Sequence, residues 1–451
     1  MAKQQQRLVI LGGGESGVGA ALLGLAKGYK VFLSDAGTLA PTYLATLQTE
    51  NIPFEQGQHT PEQLINADLV VKSPGIPDTA PVVVNLRALS IPVISEIEFA
   101  ARYTTAKLIG ITGSNGKTTT ARLLYHILHE AGLNVGLAGN VGDSFAKQVI
   151  ANTFAYYVLE ISSFQLDGMY DTRLDVAILL NITPDHLERY NYDFEQYVAS
   201  KWRILRHMRP TDTFIYFNEN QPTRQQLARH PPVPVALPLS LETPVTPGGY
   251  ALNSTLTTHV GERSFSLATA GLPLLGPHNA LNMLAATLAA QVMNVPDEAI
   301  VRGLQTFQND PHRMELVAVM NQVRFINDSK ATNVDSTFYA LSGMDRPSIW
   351  LAGGLDKGND YAQLDAVVRQ RVKALICVGK DTAPLVTHFQ GVVPIPLQTR
   401  SLTEAVALAL TLAQPGETVL FSPACKSFDL FQNYQDRGNQ FKQAVLSLPQ
   451  P

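Results

Sequence analysis

Residues Gly113, Ser114, Asn115, Gly116, Lys117, Thr118 and Thr119 have the types and spacing that hold a triphosphate. Glycines let backbone amides close around an anion, and a lysine adds a point charge along the β- and γ-phosphates. A threonine hydroxyl at the next position can ligate magnesium. The spacing is irregular: Gly113 leaves two residues before Gly116-Lys117 and Gly110 leaves five, where the usual loop has four. The plainer alternative is a tight strand-to-helix turn with a surface lysine. A second glycine turn, from Gly12 to Gly17, fits G-x-G-x-x-G, and Asp35 follows near the spacing at which a carboxylate meets a ribose. Taken alone it reads as a nicotinamide dinucleotide site, or as a cradle for the phosphate of any nucleotide.

The elements that must position these groups alternate. The run before Gly113 (Leu108, Ile109, Ile111) predicts a strand. Leu124, Ile127, Leu128 and Ala131 predict an amphipathic helix after Lys117, with Gly132 as its stop. From Arg7 to about Tyr103, strands and helices alternate through RLVILG, KVFLSD, ADLVVKSPG and IPVISE. Ser73-Pro74-Gly75 is a further tight turn at the same carboxyl edge, where open α/β sheets bind ligands. A second unit, from Lys107 to Asp310, adds a strand closing on Glu160, a strand closing on Asp185 and His186, and a helix from Asp193 to about Met208 that carries Lys201. Proline is dense from Gln221 to Gly249 and helical periodicity vanishes there, which predicts short strands and turns. The third unit, from Pro311 to Pro451, alternates again, with strands in RFINDS, SIWLAGG, ALICVG and TVLFSPA. Parallel sheets covered on both faces follow from this order.

At 451 residues the chain is too long for one core. A net charge of −4 gives no basic field for nucleic acid, and no apolar run is long enough to span a bilayer. Cys377 and Cys425 match no metal or redox spacing and suit a reducing cytoplasm. Cys425 reads as a packing residue.

TGSNGKTTT, LEISSFQL, NITPDHLERY, GPHNALN, PHRME, NDSKATN and SPACKSFD occur in that order. Together they resemble the Mur ligases of peptidoglycan synthesis, and the last two resemble the branch that adds D-glutamate. The resemblance covers all three units. It implies an α/β enzyme of three domains: an N-terminal Rossmann-like UDP-binding domain (1–103), a central P-loop ATPase-type domain (104–310) and a C-terminal Rossmann-like domain (311–451) for the incoming amino acid. It further implies a cytoplasmic monomer whose small-molecule partners are ATP, UDP-N-acetylmuramoyl-L-alanine and D-glutamate, with no nucleic acid and no membrane. A carboxylate does not accept an amine at neutral pH, so ATP converts it to an acyl phosphate. The amine then attacks and phosphate leaves.

Carried onto matching positions, the resemblance assigns ATP to the loop residues 113–119 with Asn282, Arg313 and Asp328. The muramoyl nucleotide falls to Gly14, Glu15, Ser16, Asp35, Ser73, Pro74, Gly75, Asn140 and His186. D-glutamate falls to Lys330, Thr332, Lys357, Ser427, Phe428 and Tyr434. Two magnesium ions fall to Thr118, Glu160, His186 and Lys201, the last as a carbamate formed from carbon dioxide. Catalysis rests on Lys117, Lys201, Arg313, Lys330 and His186. For Phe428 and Tyr434 a packing role stays open. After Asp35 stands Ala36-Gly37, where relatives often carry an arginine; Lys72 is a basic side chain that could compensate. Another Mur-type ligase or a folylpolyglutamate synthetase remains open within the enzyme class. The Asn-Pro-Arg signature of the diaminopimelate-adding relative is missing, and the first domain disfavours the synthetase. An oxidoreductase leaves Lys117, Glu160 and Arg313 unexplained, and a nucleotide-binding regulator is the non-enzyme alternative.

Overall fold

A computed structural model describes residues 5–274, 276–344, 346–356, 358–394 and 396–449. The chain forms two compact units, one of residues 1–270 with 281–306 and one of 271–280 with 307–451.

The first unit holds two sheets. One has five parallel strands in the order Phe54–Gln56, Lys30–Asp35, Arg7–Leu11, Leu69–Lys72, Val93–Ser95. Its strand order reverses beside Arg7–Leu11, so the Gly12 and Ser73 turns leave adjacent strands at one edge, the place where such sheets bind ligands. The other has nine strands. Lys107–Thr112 lies between Tyr156–Glu160 and Val176–Leu179, all parallel. The phosphate loop, Glu160 and the segment after Leu179 therefore emerge side by side. Thr255–Val260 and Arg263–Ala268 complete the far side as antiparallel strands.

One apolar core runs through both sheets: Leu8, Ile10, Val18 and Phe99 pack with Phe145, Tyr157, Leu159 and Tyr197. Polar clamps fix the join. Glu98 Oε2 accepts the backbone N–H groups of Tyr170 (3.1 Å), Asp171 (3.2 Å) and Thr172 (3.0 Å) and the Thr172 hydroxyl (2.5 Å). Glu96 Oε1 accepts from Ser144 Oγ and the Ala146 N–H, both at 2.7 Å, and burial pushes its carboxyl up to about 7.

The second unit holds a six-stranded sheet ordered Glu315–Met320, Val323–Asn327, Thr418–Phe421, Ser348–Ala352, Val372–Val378, Pro396–Thr399. Only the Glu315–Met320 edge is antiparallel to its neighbour.

Several expectations need correction. The strand expected to close on His186 is Val176–Leu179 and ends well before it; Asn181 leaves the ladder to accept the Asn115 N–H through Oδ1. The helix carrying Lys201 is Phe194–Trp202, continued only by a 3-10 turn, Arg203–Leu205. Helical structure is not lost after Gln221: Gln221–Arg229 is a helix capped by Asn220, whose Oδ1 accepts the Thr223 N–H. Pro222 sits in its first turn, where a missing N–H costs nothing.

Glu98→Ala removes the buried acceptor shared by three backbone amides and the Thr172 hydroxyl. We expect it to lower unfolding free energy by about 3–5 kcal/mol, read as a lower urea midpoint at unchanged slope.

Candidate active site

The phosphate loop turns on Gly116, whose φ of +84° is left-handed and whose Cβ, were there one, would strike Asn282 Oδ1. Behind it the helix Lys117–Glu130 buries Leu123, Leu124, Ile127 and Leu128. Lys117 Nζ donates to the carbonyls of Gly113 (2.7 Å) and Ser114 (2.8 Å). Lys201 Nζ donates to the same Gly113 carbonyl at 2.8 Å. Lys201 is 1% exposed, and burial first, then the charge of Lys117, holds its pKa well below the ordinary 10.5. The nearby carboxylates of Asp185 and Asp167 oppose that shift without reversing it. Tyr197 lies under the amine, 4.7 Å from ring centroid to Nζ, and its hydroxyl is 3.1 Å from Ser114 Oγ.

Glu160 is 2% exposed. Its Oε1 accepts from Asn140 Nδ2 at 2.8 Å, while Oε2 has no hydrogen-bond partner among the described residues. Asn140, expected on the substrate, thus holds Glu160. Asn282, expected on ATP, is buried and accepts from Thr120 Oγ1 at 3.1 Å, so here it buttresses the loop. His186 has a left-handed backbone (φ +52°) and a 43% exposed side chain, with Nε2 3.6 Å from Asp185 Oδ2.

At the edge of the first sheet, a cleft of about 900 Å³ is lined by Gly12, Asp35, His59, Gly75, Ile76 and Leu86 among others. A Cβ on Gly14 or Gly75 would meet nothing within 4 Å, which leaves both faces open to a ligand. Asp35 ties the turn instead of reaching outward: Oδ2 accepts the Gly13 N–H (2.6 Å) and Oδ1 the Gly37 N–H (2.7 Å). Glu15 accepts the Ser144 N–H at 3.2 Å. Lys72 does not replace the basic group missing after Asp35. It is buried, donates to the Ile76 carbonyl at 2.7 Å and pairs with Asp78 at 3.4 Å. His59 lines the cleft and rests with Nδ1 2.7 Å from Ser34 Oγ.

In the second unit, Arg313 stands between two left-handed residues, His312 (φ +69°) and Met314 (φ +47°). The Lys330 N–H donates to the His312 carbonyl at 3.0 Å, and the Met314 N–H to Asp328 Oδ1 at 3.2 Å. Burial pushes the Asp328 carboxyl up to about 7, and Ser422 Oγ donates to it at 2.9 Å. Lys330 Nζ sits 3.9 Å from the centroid of the Tyr434 ring, giving that aromatic a cation to hold. Ser427 is buried, Thr332 is half-buried and Phe428 is 65% exposed, so Phe428 is no core residue. Lys357 lies outside the described residues. Sequence reasoning missed Arg437, which is 1% exposed and donates to the Ser329 hydroxyl and carbonyl and to the Cys425 carbonyl. An arginine in helical register with Phe441 and Ala444 was the available signal.

Family models described as the N-terminal domain of MurD-like Mur ligases, the Mur ligase middle domain and the Mur ligase glutamate ligase domain match residues 6–95, 111–290 and 312–425. The UDP-N-acetylmuramoylalanine–D-glutamate ligase of Porphyromonas gingivalis is 50% identical over 458 residues, covering 99% of this chain and 100% of the relative. That of Christiangramia forsetii is 46% identical, covering 98% and 100%. The chain belongs to the Mur ligase family. A solved structure, the pseudomurein peptide ligase type C of Methanothermus fervidus, shares the fold with a TM-score of 0.63 at 18% identity, over 99% of this chain and 100% of that one. The MurF ligase of Thermotoga maritima, solved in complex with ADP, gives 0.60 at 15% identity, over 93% and 96%.

This Mur ligase has a donor set that fits a hard divalent ion. Glu160 Oε2 is a buried oxygen without a donor, and Thr118 stands one residue into the helix beside the loop. No group of three or more His, Cys, Asp or Glu gathers as a metal cage among the described residues.

Because burial holds the folded-state pKa of Lys201 below its unfolded value, this residue binds fewer protons in the folded chain, and its contribution to stability rises with pH through the window that ends near the ordinary 10.5. In bicarbonate-free buffer, wild-type unfolding free energy should rise with pH on the approach to about 10 more steeply than that of Lys201→Met. Urea titration at several pH values reads this difference; parallel curves would contradict it.

Proposed function

We propose that this chain is an ATP-dependent ligase that adds D-glutamate to UDP-N-acetylmuramoyl-L-alanine through an acyl phosphate, in peptidoglycan precursor synthesis. One observation carries the reading: the 50% likeness spans the whole of both chains, and the relative bears that name. The ADP complex of the Thermotoga maritima relative supports ATP as the phosphoryl donor.

The residues divide the work. Lys117, now on the Gly113 and Ser114 carbonyls, moves onto the β- and γ-phosphates as ATP enters the loop. Glu160 and Thr118 would hold magnesium, which would supply neutralising charge to the phosphates. Lys201 as a free amine carries the lone pair that attacks carbon dioxide; a carbon–nitrogen bond forms and one proton leaves to solvent. The product carbamate replaces the amine with an anion that would serve as a further carboxylate for the metal. The depressed pKa of Lys201 supports this step, since an ammonium has no lone pair to give. His186, Asn140 and the turns at Gly14 and Ser73 take the muramoyl nucleotide. Arg313 neutralises the γ-phosphate, Asp328 takes the ribose, and Lys330 stabilises the acyl phosphate. Thr332, Lys357, Ser427, Phe428 and Tyr434 receive D-glutamate. The domain limits 1–103, 104–310 and 311–451, a monomeric state and a cytoplasmic location belong to the same proposal.

Phosphate release from ATP should require the muramoyl nucleotide and D-glutamate together, with L-glutamate, L-lysine and diaminopimelate inactive. Lys330→Ala and Arg313→Ala should each lose about 10²–10³-fold in kcat. Enzyme stripped of carbon dioxide should regain activity on adding bicarbonate, and Lys201→Ala should not. Release without an amino-acid acceptor preference would overturn the assignment.

A further inference from the structure

The turn at residues 73–76 belongs to the first sheet and the loop 186–192 follows a strand of the second, yet Arg189 touches both. Its Nη1 donates to the Gly75 carbonyl at 2.9 Å, and its Nη2 donates to the carbonyls of Pro74 (3.1 Å) and Ile76 (3.3 Å). A planar fork on three successive carbonyls fixes orientation as well as position. The guanidinium carbon lies 4.3 Å from the centroid of the Phe164 ring. The same ring meets His186 edge-on at 5.4 Å and stacks on Tyr190 at 6.1 Å. One side chain therefore grips the turn and, through one ring, reaches the histidine.

The two ends differ in how firmly they are held. Within the first sheet, the Ser73 N–H donates to the Leu11 carbonyl at 2.8 Å, and the Ile76 N–H to Ser73 at 3.1 Å. Buried Lys72 ties the Ile76 carbonyl from below. The loop instead bends through three left-handed side-chain-bearing residues, His186 (+52°), Asn191 (+54°) and Tyr192 (+58°), and Tyr192 is 78% exposed. Within the loop Tyr190 is buried and donates to Asp167 Oδ2 at 2.9 Å, so the left-handed residues on either side of it, His186 before and Asn191 and Tyr192 after, are the ones whose placement depends on outside contacts.

We propose that Arg189 is a positioning residue: a uridine nucleotide docked on the turn 73–76 orders the loop 186–192 through it and so sets His186 for the muramoyl substrate. This rests on reading the first sheet as the uridine-nucleotide site, and the test separates the two. Hydrogen–deuterium exchange of the full chain is followed with UDP as the probe. In the wild type, saturating UDP should slow exchange at 12–16, 73–76 and 186–192, the last by about tenfold. In Arg189→Met the protection at 12–16 should remain while that at 186–192 disappears. At saturating substrates its kcat should fall about tenfold, with KM for ATP unchanged within about twofold. Arg189→Lys keeps the charge and gives up the fork. It should behave like Arg189→Met, and it serves as the test variant if the methionine form does not fold. Protection of 186–192 that persists without Arg189, or that is absent from the wild type while 12–16 is protected, overturns the coupling. Protection at neither 12–16 nor 73–76 overturns the nucleotide reading beneath it.

Discussion

Two lysine side chains share one carbonyl oxygen, that of Gly113, and much of the first unit is arranged so that they can. Like charges at that distance repel, and burial weighs against the charge on Lys201. Lys117 is half-buried beside an open loop; Lys201 is enclosed by Tyr197 and the helix that carries it. The result is that burial first, and the Lys117 charge second, hold the Lys201 pKa well below its ordinary value. Placing Lys107–Thr112 between Tyr156–Glu160 and Val176–Leu179 brings the loop and Glu160 to this point.

Charge is handled differently in the second unit. There a guanidinium, Arg437, is buried on carbonyl and hydroxyl oxygens, and the loops it joins start at Ser329 and Cys425. Lys330 and Ser427 lie next to those anchors. Desolvation of Arg437 lowers its pKa to about 10, still far above neutrality, so the loops are organised around a permanent cation. The first unit uses a switchable cation at its centre and the second a fixed one.

The order of strands, the phosphate loop and the helix behind it were legible because apolar runs and glycine positions dictate them locally. Short edges such as Phe54–Gln56 and Pro396–Thr399 were not, since three or four residues carry no period. The helix Gln221–Arg229 hid in a proline-rich stretch, although Asn220 and Pro222 together spell a helix start. Among the site residues, their types were readable and their present partners were not. Asp35 has the right spacing for a ribose, yet its two oxygens are spent on Gly13 and Gly37. Lys72 has the right charge for a phosphate, yet it faces inward onto Ile76. Such choices depend on which neighbour arrives from elsewhere in the chain, and no local pattern records that.

The Glu98 clamp has a bearing on how such chains can be recombined. Its carboxylate stands on the helix Glu96–Ala101 that follows the five-stranded sheet, but the row of amides that satisfies it, at Tyr170, Asp171 and Thr172, lies in the segment leading to the strand Val176–Leu179 of the neighbouring sheet. A chimera that transplants the first hundred residues onto a foreign partner would carry an enclosed anion to a surface lacking that row. The sheet is thus half of a matched pair, and cassette exchange between distant members must move both halves or redesign the seam.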